Sequence, residues 1–116
     1  MTFALVWLEG ASEAFHALRD AAQKSLQNRH KSNRAKASRQ EGIFKQVVKS
    51  VELLQENPRH PGLHTHEYHS IVNPYDSGSK VFEAYAQNRT PGAYRIFWCY
   101  GPGKGELTII AITAHP

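Results

Sequence analysis

Two apolar segments close to each other constrain the fold most. The first is Gly92-Ala93-Tyr94-Arg95-Ile96-Phe97-Trp98-Cys99-Tyr100; the second is Leu107-Thr108-Ile109-Ile110-Ala111-Ile112-Thr113-Ala114-His115. Both are dense in aromatic and β-branched residues and apolar on both faces, so they read as adjacent strands joined through the turn at residues 101–105. One arginine, Arg95, sits inside the first, and one histidine, His115, ends the second. An arginine among so many aromatics either finds a buried partner or faces a groove that holds an anion.

The remaining elements follow from periodicity. Residues 3–8 form a short apolar run with β-propensity, broken by Gly10-Ala11-Ser12, and Ser12 is placed to cap a helix. Phe15, Leu18, Ala22 and Leu26 then recur at helical spacing. Ser38 and Glu41 make a capping box that predicts a second helix from Ser38. Ile43, Val47, Val51 and Leu54 form its core-facing stripe, and Asn57-Pro58 ends it. A short strand is expected over about 64–71, and residues 80–87 alternate, with Phe82, Ala84 and Ala86 on one face and Val81, Glu83, Tyr85 and Gln87 on the other. The order is β, α, α, then three or four β. Two helices covering one face of a mostly antiparallel sheet is the α+β solution to that order. Trp7, Phe15, Phe44 and Phe82 are assigned to the core, and Cys99 to a small buried position rather than to a nucleophile.

At 116 residues the chain is expected to be one domain spanning 1–116. Its opening residues lack a basic n-region, and no apolar run approaches the roughly 20 residues that cross a bilayer, so neither a signal peptide nor a membrane span is expected. A single cysteine suits a reducing cytoplasm. The net charge of +4 is concentrated: Arg29, Lys31, Arg34, Lys36 and Arg39 fall within eleven residues that contain no acid. Without those five, nine basic side chains face ten acidic ones. Residues 27–42 also lack any large apolar side chain, so they form a projecting helical hairpin or a flexible loop. Such a patch implies contact with a polyanion or is simply a solvated face. Arg89, in the turn before the first apolar strand, joins the candidate nucleic-acid contacts. His60, His64, His66 and His69 give a rival signal. On a strand, His64 and His66 would share a face and could chelate zinc or copper; otherwise the run is a surface loop that touches RNA or faces water.

The element order, the passage Asn57-Pro58-Arg59-His60-Pro61-Gly62-Leu63 after the second helix, and Gly92-Ala93-Tyr94-Arg95-Ile96-Phe97-Trp98 heading a strand resemble the RelE/ParE superfamily of toxin–antitoxin toxins. The likeness spans nearly the whole chain in topology and concentrates in residues 92–116. It implies a RelE/ParE-like α+β fold, an antitoxin protein as partner, and ribosome-dependent mRNA cleavage through the 2′-OH with no metal or other cofactor. By the same match Arg95 would hold the scissile phosphate and His115 would be the general acid. A fixed guanidinium stabilises charge developing on a phosphate. Where some members carry two lysines, this chain has Glu83 and Tyr85. Near Arg95, Glu83 could act as base on the 2′-OH and Tyr85 could stack on a nucleobase, or both simply form a solvated face. The alternative within the resemblance is a non-catalytic binding protein, directed at gyrase or at nucleic acid.

Overall fold

The computed structural model describes residues 2–32, 36–87 and 92–114. Strand β1 (Ala4–Trp7) is followed by helices α1 (Glu9–Lys31) and α2 (Arg39–Glu56), a 3-10 turn at Pro61–Leu63, and strands β2 (His66–Glu67), β3 (Phe82–Tyr85), β4 (Tyr94–Tyr100) and β5 (Glu106–Ala114). The five strands form one sheet in the order β1-β5-β4-β3-β2. The pairs β2–β3, β3–β4 and β4–β5 are antiparallel, and β1 lies parallel to β5. The α+β arrangement read from the sequence is the one observed.

Helix α2 begins where its capping box requires. The Ser38 hydroxyl accepts from the Glu41 backbone N–H at 3.2 Å, and the Glu41 carboxylate accepts from the Ser38 N–H at 2.9 Å. Ile43, Val47, Val51 and Leu54 are all buried and meet Phe82, Ala84, Ile96, Trp98, Leu107, Ile109 and Ile112 from the sheet. The core therefore lies between the helices and one face of the sheet, and burying this stripe holds the helices there.

Helix α1 starts earlier than its sequence predicts. Its N-cap is Leu8, which offers no capping side chain, and Ser12 is a helical residue whose N–H bonds to the Leu8 carbonyl at 3.0 Å. The Leu8 N–H is itself held by the Ile109 carbonyl at 3.1 Å, so sheet pairing fixes where the helix begins. Phe44 also departs from expectation. It is half-buried, with its ring centroid 5.4 Å from that of Phe15, and lines the outer seam between the helices with Ala22, Leu26 and Val48.

Strand β2 is much shorter than the predicted 64–71. His64 adopts φ 49 and ψ 39 at the end of the 3-10 turn, a left-handed conformation that interrupts an extended run. After Tyr68, whose N–H reaches the Val81 carbonyl at 2.8 Å, the chain leaves the sheet edge and crosses the face opposite the helices. The Tyr68 ring lies 4.5 Å from Phe97. The Tyr75 hydroxyl donates to Thr108 Oγ1 at 2.9 Å, and that hydroxyl donates onward to the Gly101 carbonyl at 2.8 Å. Asn73 secures the crossing, donating to the Lys80 carbonyl and accepting from the N–H groups of Tyr75 and Asp76. This strap buries Phe97, Cys99 and Thr108. Burial pushes the Cys99 thiol up from its ordinary value, which disfavours the thiolate and supports the structural reading of that residue.

Candidate functional site

Glu83 organises the end of the strap-side face nearest β2. Alternation along β3 sends Phe82 and Ala84 into the core and Glu83 and Tyr85 to the other side. A solvated position is expected there, yet Glu83 keeps only 2% of its surface exposed. Three neighbours account for this. Register places His66 opposite Glu83, and Arg95 opposite Tyr85. Arg95 Nη1 donates to Glu83 Oε2 at 2.8 Å. His66 Nε2 lies 2.7 Å from Oε1, which also accepts from the Tyr85 hydroxyl at 3.1 Å. A carboxylate this buried is tolerated only because both oxygens meet donors.

Arg95 thus has the structural partner that the sequence left as one of two possibilities. Its guanidinium also lies 4.9 Å from the centroid of Phe97 and 5.9 Å from that of Tyr68, within cation–π range. Among the described residues its buried Nε has no hydrogen-bond partner, while the side chain as a whole stays 15% exposed. The planar fork is fixed on one side by a carboxylate and walled by two rings, a rigid arrangement near the start of β4.

Several sequence expectations are corrected by this geometry. Glu83 and Tyr85 are not a solvated face. Tyr85 is buried, with its hydroxyl on Glu83 and its ring 5.6 Å from that of His66, so it is not presented for stacking on a base. The His64–His66 chelate fails because His64 caps the 3-10 turn outside the strand, and His66 Nε2 is committed to Glu83. Among the described residues no group of three or more His, Cys, Asp or Glu side chains is arranged to hold a metal ion. Glu67 pairs at the surface with Lys80 at 3.0 Å and His69 at 3.7 Å. The expected site residues His115, Arg34 and Arg89 lie outside the described residues. Thr113 pairs with Arg95 and Ala114 with Tyr94, so β5 ends beside the Arg95 end of the face.

The basic segment is corrected at one position. α1 continues through Arg29 to Lys31, and α2 starts at Arg39, so much of the apolar-free stretch is helical. Arg29 is not a free cation. Its Nη2 donates to Glu41 at 2.8 Å and its Nε contacts both carboxylate oxygens at 3.2 Å. The Arg29 hydrogen bond, then the Ser38 backbone, hold the Glu41 carboxyl down at about 2. The same bond raises the Arg29 guanidinium from its ordinary value. Lys31, Lys36 and Arg39 remain exposed.

Sequence reading placed His66 in a metal chelate or on a surface loop touching RNA or water, and missed its contact with Glu83. Nothing in the linear sequence signals its pairing with Glu83, because that depends on a two-residue strand joining β3 in one register.

No family profile matches this sequence, and no curated protein does. The fold is similar to a solved structure, the archaeal RelE–RelB complex from Pyrococcus horikoshii OT3. The two share 10% identity with a TM-score of 0.56, and the match covers 98% of this chain and 96% of that one. The chain therefore has a RelE-like fold.

Proposed function

We propose that this protein is the toxin of a toxin–antitoxin pair and cleaves mRNA on the ribosome through the neighbouring 2′-OH, without a metal. The observation that carries the reading is Arg95, fixed by Glu83 at 2.8 Å on the strap-side face of a RelE-like sheet. A guanidinium held before the substrate arrives costs little reorganisation when charge develops on a phosphate. Arg95 is the phosphate clamp. Glu83, whose oxygens are both occupied, is a positioning residue rather than the base, and Tyr85 orients it. His115, following the end of β5, is the general acid. Lys31, Lys36 and Arg39, with Arg34 and Arg89, contact ribosomal RNA. The neighbouring fold is seen with RelB, which supports an antitoxin partner, and action on ribosomes places the protein in the cytoplasm.

Arg95→Ala tests the reading in a translating extract. Loss of one oxyanion-directed donor typically costs about 100-fold or more, and mRNA cleavage is expected to fall by that much. Cleavage unchanged in Arg95→Ala, or no cleavage by wild type, overturns it. One observation favours a second reading, a non-catalytic toxin that only binds its target. Both Glu83 oxygens and both His66 ring nitrogens already have partners, so this cluster holds no free base. Growth arrest with intact transcripts selects that reading.

A further inference from the structure

We infer that His66 is a second phosphate-facing cation of this site and supplies the net positive charge that the Arg95–Glu83 pair lacks. The inference rests on the RNA-directed reading and goes beyond it by assigning a residue and a charge balance. Arg95 and Glu83 together are neutral, and a neutral ion pair attracts a phosphate weakly. His66 is the third ionisable member of the cluster and its most accessible one, with 40% of its side chain exposed against 15% for Arg95 and 3% for Glu83.

Its hydrogen bonds define its state. Nε2 lies 2.7 Å from Glu83 Oε1, and Nδ1 lies 3.1 Å from the His64 carbonyl oxygen. A carbonyl only accepts, and so does a carboxylate that already receives Arg95 and Tyr85. A neutral imidazole has one N–H and one lone pair, so it would set that lone pair against an acceptor. With Glu83 ionised opposite Arg95, the ring with hydrogen on both nitrogens satisfies both contacts. One carboxylate then balances two cations, and the cluster carries one positive charge.

The backbone is shaped around this contact. His64 is the one non-glycine residue with positive φ among those described, and its carbonyl is the acceptor at Nδ1. Non-glycine residues adopt this conformation at an energetic cost and often near functional sites. Among the described residues, the remaining neighbours add no compensating charge: Tyr85 from β3 and Tyr68 from the strap carry none, and Glu67, also on β2, is engaged by Lys80 and His69.

The test uses the intact protein and a 2′-O-methyl RNA oligonucleotide, which cannot be cleaved, with binding read by fluorescence anisotropy across a salt series. His66→Gln should weaken binding by up to about fivefold, the size of a half-exposed ion pair. It should also reduce the slope of log affinity against log salt by about 0.7, one phosphate contact on a single strand. His69→Gln, which alters a nearby exposed histidine outside the cluster, should change neither. Wild-type affinity and slope in His66→Gln, or an equal loss in His69→Gln, overturns the inference; a fall in melting temperature with an unchanged slope assigns His66 a structural role and also overturns it. If wild type binds no RNA, the functional reading fails separately. The inference is then decided by inorganic phosphate. Saturable movement of the His66 ring resonances, with both ring nitrogens protonated in the nitrogen-15 spectrum, supports it; a neutral ring or no response refutes it.

Discussion

Two arginine–glutamate pairs, 2.8 Å apart at their nearest atoms in both cases, have different consequences in the two halves of the molecule. Arg29 and Glu41 join the facing ends of α1 and α2. Glu41 is also the acidic half of the capping box, so its oxygens are shared between a side chain and a helix terminus. That arrangement fastens two helices and cancels one of the charges in the basic segment. Arg95 and Glu83 join adjacent strands, where Glu83 is shared with His66 and Tyr85 instead. There the second partners are an imidazole ring and a phenol hydroxyl rather than a helix terminus. The same pair of residue types fastens two helices at the hairpin and, at the sheet, anchors the cluster that we propose faces a phosphate.

Removing the acid tests the contrast most strongly. Glu83→Ala leaves the largely buried Arg95 guanidinium without its carboxylate and should lower unfolding free energy by about 3 kcal/mol in urea titration. A loss well under 1 kcal/mol would place the sheet pair with ordinary exposed pairs and erase the difference. The hairpin makes the complementary test. Reversing Lys31, Lys36 and Arg39 to Glu should weaken RNA or ribosome binding and lower its salt slope by about 2, three contacts at about 0.7 each. Arg29→Glu should instead disturb helix pairing, seen by circular dichroism, because its charge is already spent on Glu41. Equal binding losses from Arg29 and from the exposed trio would show that the pairing does not hold in solution.

Acid should produce the smallest effect, read at the hairpin. The Glu41 carboxyl is held at about 2, below its ordinary 4.5. A depressed carboxyl contributes stability that is fully present above the ordinary value and is lost as pH falls through the folded one. The hairpin should therefore keep its helical signal down to about pH 4.5 and lose part of its stability between there and pH 2, followed by circular dichroism. No change in thermal stability over that window in wild type, or the same change in Glu41→Gln, would show that this carboxylate does not fasten the helices.

What the sequence determined by itself was local and periodic. The capping box at Ser38 and Glu41 starts α2 because both partners lie within one turn, and the Ile43, Val47, Val51 and Leu54 stripe must be buried wherever that helix packs. The paired apolar segments required strands for the same kind of reason. The tertiary structure decided everything that depends on register between distant segments. α1 begins at Glu9 because Ile109 holds Leu8, which no nearby residue announces. Glu83 and Tyr85 have the alternation of a solvated face, yet a two-residue strand, a strap and Arg95 cover them. Arg29 looked free because its acid stands beyond the basic run, twelve residues away in sequence and one hydrogen bond away in space. Charge compensation and burial are set by distance through space, and a linear sequence fixes those distances only within a turn of helix or along a single strand.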